Sequence, residues 1–142
     1  MAAFNKFQTF VTDKANGTHA NALNASTDTL NIYLSNTAPN AATHTVKADI
    51  AEITTGNGYT GPQDTTNSAS TSVGVISVVG TDVVITASGG TVGPFRYVIL
   101  YNDTPTSPAD PLIGWWDYGS SITLNDGESF TADFGATMFT DQ

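Results

Sequence analysis

Cysteine is absent from this 142-residue chain, so neither disulfides nor thiolate metal sites can hold it together. Stability must come from apolar packing and subunit contacts. Positive charge is nearly absent too: Lys6, Lys14, Lys47 and Arg96 are the only fixed cations against 13 acidic residues, for a net charge of -9. That balance argues against nucleic acid as a partner, because phosphate binding needs basic side chains. It also repels anionic membranes and acidic proteins unless a specific apolar patch overrides it. The longest apolar runs, such as Tyr97 to Tyr101, fall far below the ~18 residues of a membrane-crossing helix. Met1 to Lys6 lack the basic cap and apolar stretch of an export signal, which reads as a protein made in the cytoplasm. The sequons at Asn16, Asn24 and Asn102 accordingly carry little weight.

Charged residues of both signs make up 12% of the chain, against about 25% in an average soluble protein, and Thr, Ser, Asn and Gly stand in their place. Thr suits strands while Asn and Gly suit tight turns, so the fold reads as mainly β. A chain of this length buries roughly 68% of its unfolded surface and forms one domain. The expected organisation is an N-terminal helix or arm over 1–26 and a single β-sandwich or jelly-roll-like barrel over 27–142.

Phe4, Phe7, Phe10 and Val11 recur at three-to-four spacing before Lys14 and Asn16-Gly17, which predicts a short amphipathic helix or an ordered arm. From Asp28 the period changes to two, and Leu30, Ile32 and Leu34 mark a strand that ends at Pro39-Asn40. Val46, Ile50 and Ile53 fit one face of a helical turn or two. Gln63 to Ser72 has almost nothing to bury and reads as a surface loop or an edge strand. Val73 to Val79 and Asp82 to Ala87 read as a hairpin around Gly80-Thr81.

The segment from Gly93 to Phe134 carries both tryptophans and more than half of the aromatic residues. Phe95, Tyr97, Ile99 and Tyr101 alternate with Arg96, Val98 and Leu100, so both faces of this strand are apolar and both need cover. Pro105, Pro108 and Pro111 force an exposed loop before the chain returns as Leu112 to Tyr118. Asn125-Asp126-Gly127, between Ile122 to Leu124 and Glu128 to Phe134, is a strong hairpin signal. Short strands at this spacing build a sandwich, a jelly roll or a small barrel.

Chemistry is harder to find. No Gly-x-Ser-x-Gly elbow occurs, and the only imidazoles, His19 and His44, sit in polar contexts that read as exposed or capping. Ser88 to Gly93 is half of a dinucleotide fingerprint but leads into a strand, and no Gly-Lys-Ser or Gly-Lys-Thr phosphate loop exists. Asp103 with Asp110, or Asp126 with Glu128, could pair for glycosidic chemistry or Ca²⁺, but spacing selects neither and no calcium loop is present, so these acids read as structural or solubilising. No catalytic, metal or cofactor-binding residue is assigned, no cofactor is expected, and the chain does not read as an enzyme.

What remains is aromatic surface. Adjacent strand residues point to opposite faces, so one indole of Trp115-Trp116 turns inward and the other toward solvent or a partner. Phe4, Phe7, Phe10, Trp115, Trp116 and Tyr118 are the candidate contact residues. More than one reading stays open for each group. The Phe segment lies on its own domain or clasps a partner. The indoles belong to the core, or one of them serves a protein interface or stacks on sugar.

Four stretches carry a resemblance: Asp28 to Pro39 (DTLNIYLSNTAP), Ala48 to Ile53 with Gly56 to Thr60, Gly93 to Asp103 (GPFRYVILYND) and Pro111 to Gly119 (PLIGWWDYG). Together they resemble a family of small tailed-bacteriophage virion proteins that decorate, or cement, the icosahedral head. The resemblance spans most of the chain and leaves out Gln63 to Ser72. It implies an oligomeric jelly-roll-like subunit on the outer surface of the capsid, bridging neighbouring subunits of the major capsid protein. It further implies a homo-oligomer, a trimer at three-fold positions. The Phe4/Phe7/Phe10 segment and one indole would then supply subunit or capsid contacts. A tail or fibre adhesin that stacks Tyr118 and the indoles on host carbohydrate is the alternative.

Overall fold

The computed structural model describes residues 2–20, 23 and 27–142. In chain order the strands are β1 (Phe4–Lys6), β2 (Leu30–Ser35), β3 (Gln63–Asp64), β4 (Ser68–Ser72), β5 (Val75–Val79), β6 (Val83–Thr86), β7 (Val92–Asn102), β8 (Leu112–Leu124), β9 (Ser129–Ala132) and β10 (Phe139–Asp141). A short helix, α1 (Gln8–Ala15), follows β1. All pairings are antiparallel, in a five-stranded sheet β1-β8-β7-β2-β3, a three-stranded sheet β10-β5-β4 and a two-stranded ribbon β6-β9. The fold is mainly β and sandwich-like.

Strand β7 lies at the centre of the large sheet because neither of its faces tolerates water. Val98 and Leu100 point into the main core, where Leu30, Ile32 and Leu34 of β2 meet Val78, Ile85, Phe130 and Phe139 from the two smaller sheets. Tyr97, Ile99 and Tyr101 point the other way, into a second core with Tyr33, Ile50, Leu112 and Phe7. Removing one such side chain from water is worth about 1.5–3 kcal/mol. Two cores on one strand make β7 the most costly element to expose. Phe95 departs from the expected alternation: a register shift between Phe95 and Tyr97 returns its ring to the main core, against Phe130 at 5.0 Å.

The N-terminal segment is a strand and then a helix. Phe4 lies on β1, Phe7 immediately precedes α1 and Phe10 alone lies within it. A flat aromatic stripe therefore becomes three separate anchors. Gly114 makes this possible, since a Cβ there would stand 2.2 Å from Cζ of Phe4 and 2.4 Å from the Asn5 carbonyl oxygen.

Neither expected hairpin pairs as local signals suggest. Strand β5 pairs with β4 and β10, while β6 pairs with β9, so the chain crosses between sheets at Gly80-Thr81. The actual hairpin joins β4 to β5 through Val73-Gly74, with φ of 46° and 78°, the twist that a two-residue turn requires. Asn125-Asp126-Gly127 does turn, closed by Glu128 N–H donating to the Asn125 carbonyl at 2.9 Å, but it is a corner leading from β8 to a strand in another sheet. Gln63 to Ser72 supplies β3 and β4, the edges of two sheets. The turn after Val46 is a single 3-10 turn, Lys47–Asp49; Ile50 enters the second core and Ile53 packs on the main one. Asn102 of one sequon is buried, and the sequon at Asn24 lies outside the described residues.

Candidate functional site

Period-two alternation sends the two indoles to opposite faces of β8. Trp116, 2% exposed, enters the main core, and Trp115 stays partly exposed over the Phe7 ring at 4.6 Å. Phe7 and Phe10 are 0% exposed. Phe7, Phe10 and Trp116 are thus covered by the chain's own two cores, which favours the reading in which the Phe segment lies on its own domain, and Trp115 is the indole that turns outward. Phe4 is half-buried, stacked on Phe139 at 5.1 Å and edge-on to Trp116 at 5.3 Å. Tyr118 is half-buried and edge-on to Phe130 at 5.0 Å. Of the six aromatics, Phe4, Trp115 and Tyr118 keep accessible area.

His19 is buried, contrary to its polar sequence context. Its ring lies 5.0 Å from that of Phe10, and its Nδ1 faces Asn102 Nδ2 at 3.2 Å. Burial holds the imidazole below its ordinary pKa, against the opposing pull of Asp13 and Asp28. Facing an amide rather than a hydroxyl, it has no nucleophile to activate. His44 caps a turn, its Nδ1 accepting from the Asn40 N–H at 3.1 Å.

All four fixed cations are spent inside the chain. Lys14 and Lys6 meet Asp141, Lys47 meets Glu52 at 3.2 Å, and Arg96 makes a two-pronged pair with Asp117 at 2.7 and 3.0 Å. The Arg96 guanidinium, with the Gly119 N–H, holds the Asp117 carboxyl below the usual range. Three of the 13 acids are thereby matched, leaving ten without an ion pair among the described residues.

Most unmatched acids whose contacts are defined brace backbone. Asp126 accepts from Gly89 N–H at 2.9 Å, tying the corner turn to the loop after β6, and Glu128 accepts from Asn125 N–H at 2.8 Å inside the turn. Asp49 accepts from the N–H groups of Thr45 and Val46, which hold its carboxyl low. Asp103 and Asp110 do come together: burial first, then the neighbouring Asp103, raises the Asp110 carboxyl. Among the described residues no group of three or more His, Cys, Asp or Glu side chains could hold a metal ion.

One shallow cleft of about 260 Å³ is lined by Asn36, Thr37, Glu52 and Pro94 among others. Its only carboxylate is already engaged, by Lys47 and by the Tyr59 hydroxyl at 2.6 Å. Burial drives the Tyr59 and Tyr33 phenols far above their ordinary range, so neither exchanges protons near neutrality. Positions of this kind fix shape. What the arrangement offers chemically is an anionic exterior on a stiff β-body.

An exposed strand face that sequence reasoning missed is the outside of the β6-β9 ribbon. Its signal was present as the alternation Val83-Val84-Ile85-Thr86, in which Val83 and Ile85 are buried while Val84 is 61% exposed. No helix among the described residues is long and apolar enough to cross a membrane. Compared with protein families, curated proteins and solved structures, the chain matches no family model, no curated protein and no solved structure.

Proposed function

We propose that this chain is a structural virion protein that decorates and cements the outside of a bacteriophage capsid by bridging neighbouring major capsid protein subunits. The resemblance of four sequence stretches to that family supplies the reading. The observation that carries it furthest is the internal consumption of every fixed cation, which leaves the exterior anionic around a sandwich packed by its own aromatics. Such a body suits a role in which many copies each make a modest contact, and avidity compensates for weak single interfaces. Three copies around a three-fold position form the expected oligomer, closed by symmetry.

Light scattering on purified protein, followed by incubation with undecorated phage heads, tests this reading. Discrete trimers that saturate the heads and raise their heat resistance are the expected result. Monomers that ignore heads and bind a glycan array would replace it with the carbohydrate adhesin. Trp115 gives that alternative little help, because its indole is covered in part by Phe7.

A further inference from the structure

Of the exposed large apolar side chains among the described residues, Val84 alone lies within a strand; Val11 is on α1 and Val73 at a hairpin tip. Ribbon β6-β9 sets Val83, Ile85, Phe130 and Ala132 into the core and turns Val84, Thr86, Ser129 and Thr131 outward. Val84 stands opposite Thr131, and Thr86 opposite Ser129 with their hydroxyls 2.7 Å apart. This outer face is regular, stiffly backed and without a covering strand or helix among the described residues.

Carboxylates bound it at both ends. Asp82 and Asp133 adjoin the Val83/Ala132 pair, while Glu128 and Asp126 precede β9 at the other end, with Glu128 about 17 Å from Asp133 at the usual rise per residue. Each spends one oxygen on a backbone N–H: Asp82 on Phe134 at 2.9 Å, Asp133 on Gly135 at 2.8 Å, Asp126 on Gly89 at 2.9 Å and Glu128 on Asn125 at 2.8 Å. Backbone therefore fixes their positions. None has an ion pair, because the chain's four cations are held at Asp141, Glu52 and Asp117. Tyr118 closes the margin nearest Asp82 and Asp133, whose charges add to burial in raising its phenol.

We propose that this ribbon face docks a basic protein surface, with an apolar contact on Val84 and Lys or Arg side chains reaching the carboxylate pair at each end. The sign of the charge selects the occupant. A second copy would bring the same carboxylates against themselves, while nucleic acid and anionic lipid carry the wrong charge. The assignment concerns one face and the chemistry of its partner, and stands apart from the capsid reading.

Titration of the full chain with a peptide of alternating lysine and valine, followed by backbone amide NMR at low salt, tests it. Shifts concentrated at Val84, Thr86, Ser129 and Thr131 are expected, with roughly tenfold weaker binding for Val84→Lys and for the double variant Asp82→Asn, Asp133→Asn. Asp64→Asn, an exposed acid outside the ribbon, should bind as the parent does. Shifts scattered over carboxylates everywhere, equal weakening by Asp64→Asn, or no binding would each overturn the proposal. Parent protein that ignores phage heads yet binds the peptide on the ribbon would sink the capsid reading alone.

Discussion

Asn102 Nδ2 donates one hydrogen to His19 Nδ1 at 3.2 Å and the other to Asp28 Oδ2 at 2.9 Å, all three side chains being buried. The amide orientation follows from its oxygen, which accepts from Thr104 N–H at 3.2 Å. His19 is therefore the tautomer with its hydrogen on Nε2, a nitrogen that finds no partner among the described residues.

Acid should loosen this contact, since a proton on Nδ1 would face the amide hydrogen of Asn102. Folding lowers the His19 pKa from 6.5, so below that value the unfolded chain takes up a proton that the folded chain refuses. Stability should be level above pH 6.5 and fall below it, by up to about 1.4 kcal/mol per pH unit, until the folded-state pKa is reached. Urea midpoints between pH 5 and 8 measure this. His19→Gln should flatten the slope, and an unchanged slope in that variant would assign the effect elsewhere.

Gly114→Ala should detach β1. The added methyl would overlap the Phe4 ring and the Asn5 carbonyl, so the strand must lift from β8 and uncover part of Trp116. The expected loss is about 2 kcal/mol, close to the burial of one aromatic ring. Hydrogen exchange gives a sharper reading: amide protection at Asn5 to Lys6 should disappear while β7 stays protected. Retained protection would mean that β8 accommodates the methyl.

Val73 should yield to asparagine with a gain. It is 98% exposed at φ 46°, a conformation that costs a β-branched residue energy and returns no packing. Val73→Asn creates the Asn-Gly pair favoured in two-residue hairpins, and unfolding free energy should rise by roughly 1 kcal/mol. A calorimetric melting temperature at or below that of the parent would show that the turn relaxes for valine in solution.

What the sequence revealed was the periodicity of single strands. Leu30, Ile32 and Leu34 against Tyr33, and the two apolar faces of β7, follow from alternation alone, because side-chain direction along a strand is local. Partner choice is not local. Asn125-Asp126-Gly127 makes the same turn whether the next strand returns to its sheet or crosses to another, so the turn was legible and the pairing was not. His19 looked exposed because Asp28 and Asn102, which make its burial tolerable, come from β2's approach and the end of β7. The Phe segment misled for a related reason: a three-to-four spacing cannot announce that a glycine 110 positions after Phe4 admits the first ring as a strand residue.

Among the described residues, side chains join the N-terminal and C-terminal segments. Phe4 stacks on Phe139, Phe10 meets the same ring edge-on at 5.8 Å, and Lys14 with Lys6 holds Asp141, yet β1 belongs to one sheet and β10 to another with no ladder between them. In mechanical terms this corner is a clasp, not a seam. A pull that separates the two segments loads a few rings and one carboxylate together, whereas a pull along β7 must break paired backbone on both sides. The molecule is consequently stiff across its large sheet and compliant at the corner where its two ends lie side by side.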